Sequence, residues 1–164
     1  MPRLFIAVWP SDDAVAELTA VRRKDQRGVR FVHPENWHIT LRFFGEAEIG
    51  DVLSALDGVT FAPTRARLGP AVDVLAERAL IVPVAGLDDI AAIVNARTSD
   101  IGEPPRRRFA GHLTLARVQK RAAMPPALGA LVGAEFDVDA VTLVRSRLDP
   151  HGARYETIES WPVG

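Results

Sequence analysis

The tetrapeptide His38-Ile39-Thr40-Leu41 recurs as His112-Leu113-Thr114-Leu115, 74 positions later in a chain of 164 residues. At this chain's threonine and leucine frequencies, the chance that two of its four histidines both precede x-Thr-Leu is on the order of 10⁻⁴, so an internal repeat is the simpler reading. Side chains on a strand alternate between faces. Each copy therefore presents an imidazole and a hydroxyl together on one face and two aliphatic residues on the other. The repeat implies two similar halves, each contributing one such strand, and a pseudo-two-fold packing that sets the two His/Thr pairs across a cleft.

The rest of the chain supports two halves. Arg3 to Trp9 reads as a strand ended by Pro10. Ser11, Asp12 and Asp13 begin a helix that carries Ala14, Val15, Leu18 and Val21 at helical spacing and stops before Gly28. Val29 to His33 and Trp37 to Phe44 read as strands about a Pro34-Glu35-Asn36 turn, and Ile49 to Leu56 as a short helix. The second half runs as strands Thr60 to Leu68 and Ala79 to Val84, a helix from Leu87 to Ile101, and a strand from His112 to Val118. A weaker helical segment near Pro126 to Val132 precedes two final strands joined by a turn at Asp149 to Gly152. This order predicts an α+β fold with mainly antiparallel sheet and flanking helices. Residues 1–164 are expected to form one bilobal domain.

Composition narrows the chemistry. Apolar residues at 48% and charged residues at 25% are those of a soluble globular chain. The absence of cysteine removes disulfides, thiolate metal sites and cysteine nucleophiles, and fits a cytoplasmic location. No stretch approaches the roughly 20 apolar residues of a membrane span, and no obligate protein partner is evident. No HExxH, GxSxG, GxGxxG or GxxxxGK[ST] sequence is present, so no metal or other cofactor is expected. Twenty basic against twenty-one acidic residues exclude a broad duplex-binding surface, so any nucleic-acid contact is local.

Two imidazoles on opposite sides of one centre form a general acid and a general base near neutral pH. An in-line displacement at phosphorus needs that pair, with hydroxyls such as those of Thr40 and Thr114 on the remaining phosphate oxygens.

The paired motifs resemble the HxTx motifs of the 2H phosphoesterase superfamily. The stretch FVHPENWHITLRFFGE, residues 31–46, is similar to the first signature of the RNA 2',3'-cyclic phosphodiesterases, also called 2'-5' RNA ligases. FAGHLTLAR, residues 109–117, is similar to the second, and VRSRLDPHGARYETIESWP, residues 144–162, also resembles that branch. The resemblance implies a bilobal α+β fold, a pseudo-two-fold arrangement of mainly antiparallel sheets with flanking helices and the active-site cleft between the lobes. It also implies metal-independent opening of an RNA terminal 2',3'-cyclic phosphate to a 2'-phosphate, with His38 as proton donor and His112 as proton acceptor. Spacing alone leaves those two roles exchangeable. Trp37 and His33 stand where the branch carries leucine or other apolar residues, a departure expected to reshape the cleft entrance.

Three further residues are substrate-binding candidates. Arg42 is in strand phase with His38 and Thr40. Arg117 is out of phase with His112 and is chosen for its match to the family pattern. Tyr155 is a candidate for stacking a terminal base. Phe44 reads as core, His33 and His151 as surface, and Arg106 to Arg108 as a solvated loop. The substrates expected are RNA 3' ends or small cyclic nucleotides. The alternatives are a phosphodiesterase acting on a small cyclic nucleotide or an ADP-ribose cyclic phosphate, and a non-catalytic module that binds nucleotides or RNA ends.

Overall fold

A computed structural model describes residues 1–76 and 78–164. The elements run β1 (Arg3–Val8), α1 (Asp12–Thr19), β2 (Val29–Phe31), a 3₁₀ turn (Pro34–Asn36), β3 (Ile39–Glu46), α2 (Ile49–Ala55), β4 (Arg65–Leu68), β5 (Asp73–Leu75), β6 (Ala79–Ala85), α3 (Asp88–Arg97), β7 (His112–Val118), β8 (Ala134–Asp137), β9 (Ala140–Asp149) and β10 (Gly152–Pro162). The strands form one sheet in the order β10-β9-β1-β3-β7-β6-β4-β8, with β2 added beside β7 and β5 beside β6. Every strand pair is antiparallel, so the expected α+β architecture is the one observed.

The two halves meet where the repeat predicts. β3 and β7 pair through Ile39 and Leu113, the second residues of the two tetrapeptides. β1 flanks β3 as β6 flanks β7, and α1 follows β1 as α3 follows β6. Leu4, Ile6, Val8, Leu80, Val82, Leu113 and Leu115 form one face of this central sheet. They are buried in a core with Ala14 and Leu18 of α1 and Ile90, Ala91 and Val94 of α3. The opposite face is left to carry the site.

Several elements differ from the sequence reading. Helix α1 is capped by Ser11, whose Oγ accepts from the Ala14 N–H at 3.2 Å, yet it ends at Thr19. Beyond Val21 the charged run Arg22 to Arg27 offers no apolar stripe, and a short helix without a face to bury is not sustained. The Pro126–Val132 segment is not a helix. Gly129 and Val132 donate their backbone N–H groups to Val72 and Pro70, and Ala130 accepts from Val72, so a neighbouring segment takes the groups a helix needs. β5 and β8 are additional strands. Only Arg65–Leu68 of the expected Thr60–Leu68 strand is regular, and α3 stops at Arg97. Among the described residues, no helix is long and apolar enough to cross a membrane.

Candidate active site

The site is built from the central pairing outward. Antiparallel pairing of Ile39 with Leu113 sets His38 beside Thr114 and His112 beside Thr40, giving a quartet on the face opposite the core. All four side chains are half-buried. The two imidazoles are held alike: His38 Nδ1 lies 2.7 Å from the Asn36 carbonyl, and His112 Nδ1 lies 2.7 Å from the Ala110 carbonyl. In each case the carbonyl two residues upstream accepts the Nδ1 proton. Nε2 is thereby left to take up or release a proton in the cleft.

The fourth motif residue of each strand changes which way the residues after it face. Ala7 pairs with Thr40 and Ile6 with Arg42, so Leu41 is an extra residue in β3. Ile81 pairs with Thr114 and Leu80 with Ala116, so Leu115 is an extra residue in β7. Each leucine is thus a β-bulge, where two residues oppose one and the alternation of faces shifts. Leu41 and Arg42 are both buried, as are Leu115 and Ala116, and the next residues, Phe43 and Arg117, face the cleft side.

This bulge reverses both arginine phase arguments. Arg42 does not point to the cleft. It is 2% exposed and donates to the carbonyls of Phe43 (2.8 Å), Thr98 (3.2 Å) and Ile101 (2.7 Å) and to Thr98 Oγ1 (3.3 Å). Its guanidinium lies over the Phe44 ring, 4.6 Å from the centroid. Burial lowers its pKa from the usual guanidinium value, with Glu103 opposing. Arg117, out of phase by simple counting, is brought onto the face of His112 and Thr114, and its charge is felt at both His38 and Tyr155.

An aromatic wall stands against His38. Phe5 stacks on the imidazole at 4.8 Å, Tyr155 meets it edge-on at 5.3 Å, and Trp9 lies tilted at 5.6 Å. This burial is the main reason the His38 pKa lies below its usual value. The Asn36 carbonyl opposes the shift, and His112 and Arg117 add to it by repulsion. Burial also pushes the Tyr155 hydroxyl up, against the influence of Arg117. Trp9, Asn36 and Tyr155 line an open pocket of about 330 Å³ together with Glu35, Ala153 and Arg154.

Trp9 and Phe5 were not legible as site residues. Their places opposite β3 are set by the β1–β3 register, and the one available signal was the alternation of Phe5, Ala7 and Trp9 on a single face. Trp37 corrects the expectation that it reshapes the entrance: it is 1% exposed and lies in the core beneath the Arg23 guanidinium. Phe44 is buried in the core. His33 is on the surface, 3.8 Å from Glu35, and His151 and Arg106 to Arg108 are exposed. Among the described residues, no three His, Asp or Glu side chains converge as a metal-ligand set.

Comparison with known proteins gives a consistent likeness. Residues 8–69 match the model of LigT-like phosphoesterases. The chain is 31% identical to an RNA 2',3'-cyclic phosphodiesterase of Thermus thermophilus, covering 98% of this chain and 90% of that protein. It is 24% identical to one from Methanocaldococcus jannaschii, covering 97% and 99%. Its fold superposes on a crystal structure of a Thermus thermophilus protein with a TM-score of 0.84 at 29% identity, covering 98% and 97% of the two chains. The same fold is seen in Escherichia coli LigT complexed with 3'-AMP, with a TM-score of 0.81 at 21% identity, covering 99% and 98%.

Proposed function

Because the chain belongs to the LigT-like phosphoesterase family, we propose that it is an RNA 2',3'-cyclic phosphodiesterase that hydrolyses the terminal cyclic phosphate to a 2'-phosphate using its two motif histidines as acid and base. The observation that carries the mechanism is the duplicated geometry: two imidazoles on one face of the paired strands β3 and β7, each locked by the same Nδ1 bond to the carbonyl two residues upstream.

In this mechanism His112 Nε2 takes a proton from water as the water oxygen attacks phosphorus. The bond from phosphorus to the 3'-oxygen breaks, and His38 Nε2 gives its proton to that departing oxygen. The products are a 2'-phosphate and a free 3'-hydroxyl, so atoms and protons balance without a further reactant. Thr40, Thr114 and Arg117 bind the non-bridging oxygens as charge builds on them. A donor with a depressed pKa is a stronger acid, which suits protonation of a departing alkoxide, and the anionic phosphate helps to keep His38 charged when substrate is bound. Tyr155, with Trp9 beside it, offers a stacking surface for the terminal base. The whole chain acts as one bilobal unit in this reading, and no step needs a metal.

The test is hydrolysis of nucleoside 2',3'-cyclic monophosphates and of a short RNA bearing that end, in excess chelator, with 2'- and 3'-phosphate products resolved. The expected result is 2'-phosphate, with His38→Ala and His112→Ala each lowering kcat by about 10²–10⁴. A 3'-phosphate product, activity restored only by a divalent metal, or turnover indifferent to either substitution refutes the mechanism. Turnover of a different cyclic phosphate alone reassigns the substrate.

A further inference from the structure

β3 and β7 pair at one position, Ile39–Leu113. Beyond it β2 takes the place beside β7, with Val29 opposite Val118, Arg30 opposite Arg117 and Phe31 opposite Ala116. Val29 and Phe31 pack against the core, so Arg30 faces the other way, onto the cleft side that Arg117 occupies. Directly opposed residues of an antiparallel pair hold their Cβ atoms about 5 Å apart, and like charges so placed repel.

Three arginines of this chain meet acids: Arg65 with Glu135 and Asp137, Arg147 with Glu156, and Arg154 with Asp149. Among the described residues, no carboxylate lies within 4 Å of Arg30 or Arg117. Two exposed guanidiniums facing each other form a receptor for an anion, and a phosphate is the group their planar forks fit.

We propose that Arg30, together with Arg117, binds the phosphodiester on the 5' side of the terminal nucleotide, so that the enzyme selects RNA chains over mononucleotides. This inference rests on the cyclic phosphodiesterase reading of the same cleft. Arg117 stands three residues and one bulge beyond Thr114, roughly 7–10 Å along the strand, and Arg30 lies one strand spacing of about 4.8 Å to its side. Arg117 spans from the reacting phosphate to this second position, while Arg30 serves the second position alone. In a chain ending in a 2',3'-cyclic phosphate, the neighbouring phosphate is the one on the terminal nucleoside's 5'-oxygen. A nucleoside 2',3'-cyclic monophosphate with a free 5'-hydroxyl lacks it.

The experiment compares kcat/KM for that mononucleotide, for a dinucleotide with the same cyclic end, and for the same dinucleotide joined by an uncharged methylphosphonate. The wild-type ratio of dinucleotide to mononucleotide is expected to exceed ten and to fall with the methylphosphonate. Arg30→Gln is expected to lower that ratio about tenfold, mainly through KM, and to reduce the salt slope of log KM by about 0.7. Arg30→Glu is expected to lower the ratio at least as far while raising Tm, because it turns a repulsive pair into an ion pair. A ratio that Arg30→Gln leaves unchanged overturns the proposal.

Equilibrium binding of the matching 3'-phosphorylated dinucleotide to wild type and to Arg30→Gln separates the two possible failures. No turnover with Arg30-dependent binding refutes the hydrolytic reading and leaves the phosphate site standing. Turnover with an Arg30-independent ratio refutes the site and leaves the hydrolysis standing. Absence of both turnover and Arg30-dependent binding refutes both.

Discussion

Replacing Arg42 with alanine separates the bulged strand from the simple alternation that its sequence suggests. The guanidinium satisfies three backbone carbonyls, those of Phe43, Thr98 and Ile101, from a site that is 2% exposed. Each buried acceptor left without a partner costs about 1–3 kcal/mol. Thr98 Oγ1 keeps its own bond to the Val94 carbonyl at 2.7 Å, and water admitted to the gap satisfies part of the remainder. The net loss is therefore at the low end of the sum, about 3–5 kcal/mol. For a chain of this size that corresponds to a fall in Tm of roughly 6–20 °C. Below the lowered Tm, kcat/KM on a cyclic mononucleotide is expected to stay within about threefold of wild type, since Arg42 lies on the core side of β3. Calorimetry and steady-state kinetics on one preparation read both quantities. A kcat/KM loss of a hundredfold with Tm intact refutes the bulge argument and restores Arg42 to the cleft.

Two further outcomes test the site. The pH dependence of kcat/KM reports the free protein, in which the donor must carry its proton while the acceptor has lost its own, so both titrations shape the profile. Burial lowers the His38 pKa from 6.5 and, with it, one limb of the profile. Trp9→Ala, by admitting water, is expected to move that limb upward, and a profile that Trp9→Ala leaves unchanged refutes its assignment to His38. Gly111→Ala is expected to lower both Tm and kcat. A Cβ at Gly111 runs into the Val84 carbonyl oxygen at the residue before His112, an overpacking cost of about 1–3 kcal/mol. Wild-type values of both quantities refute the need for that close approach.

The α+β architecture, the quartet and the meeting of the two halves were legible because they rest on patterns written locally: strand alternation, a capped helix start, and a tetrapeptide that occurs twice. What was not legible depends on which strand lies beside which. The Leu41 and Leu115 bulges cannot be seen in either strand alone, because an extra residue is defined only against its partner. Counting therefore placed Arg42 in the cleft and Arg117 out of it, and the fold does the reverse. Trp9 follows the same rule, since it becomes a neighbour of His38 only through the β1–β3 register. Pro126–Val132 has helical spacing, but its backbone groups are claimed by residues 70–72, a long-range competition that local propensity does not record.

The repeat supplies equivalence, and function needs its violation. From Phe5 to Val8 and from Ala79 to Val82 the registers of β1 on β3 and of β6 on β7 match residue for residue, the Leu41 and Leu115 bulges included, so Trp9 corresponds to Pro83, Phe5 to Ala79 and Phe43 to Arg117. An unmodified duplication gives two identical imidazoles, with nothing to decide which gives and which takes a proton. Here His38 has Phe5 and Trp9 where His112 has Ala79 and Pro83, and Tyr155 of β10 closes over His38 alone. This aromatic wall buries His38 and lowers its pKa. The cations differ as well, because Arg117 lies at the His38 end while its counterpart at the His112 end is Phe43, 42% exposed, with the Arg3 guanidinium 5.5 Å from its ring centroid. A phosphate chain arriving in this cleft meets the opposed Arg30 and Arg117 at the His38 end and a single arginine held over an aromatic ring at the other, and that asymmetry gives the bound strand a direction that the histidine–threonine quartet by itself does not provide.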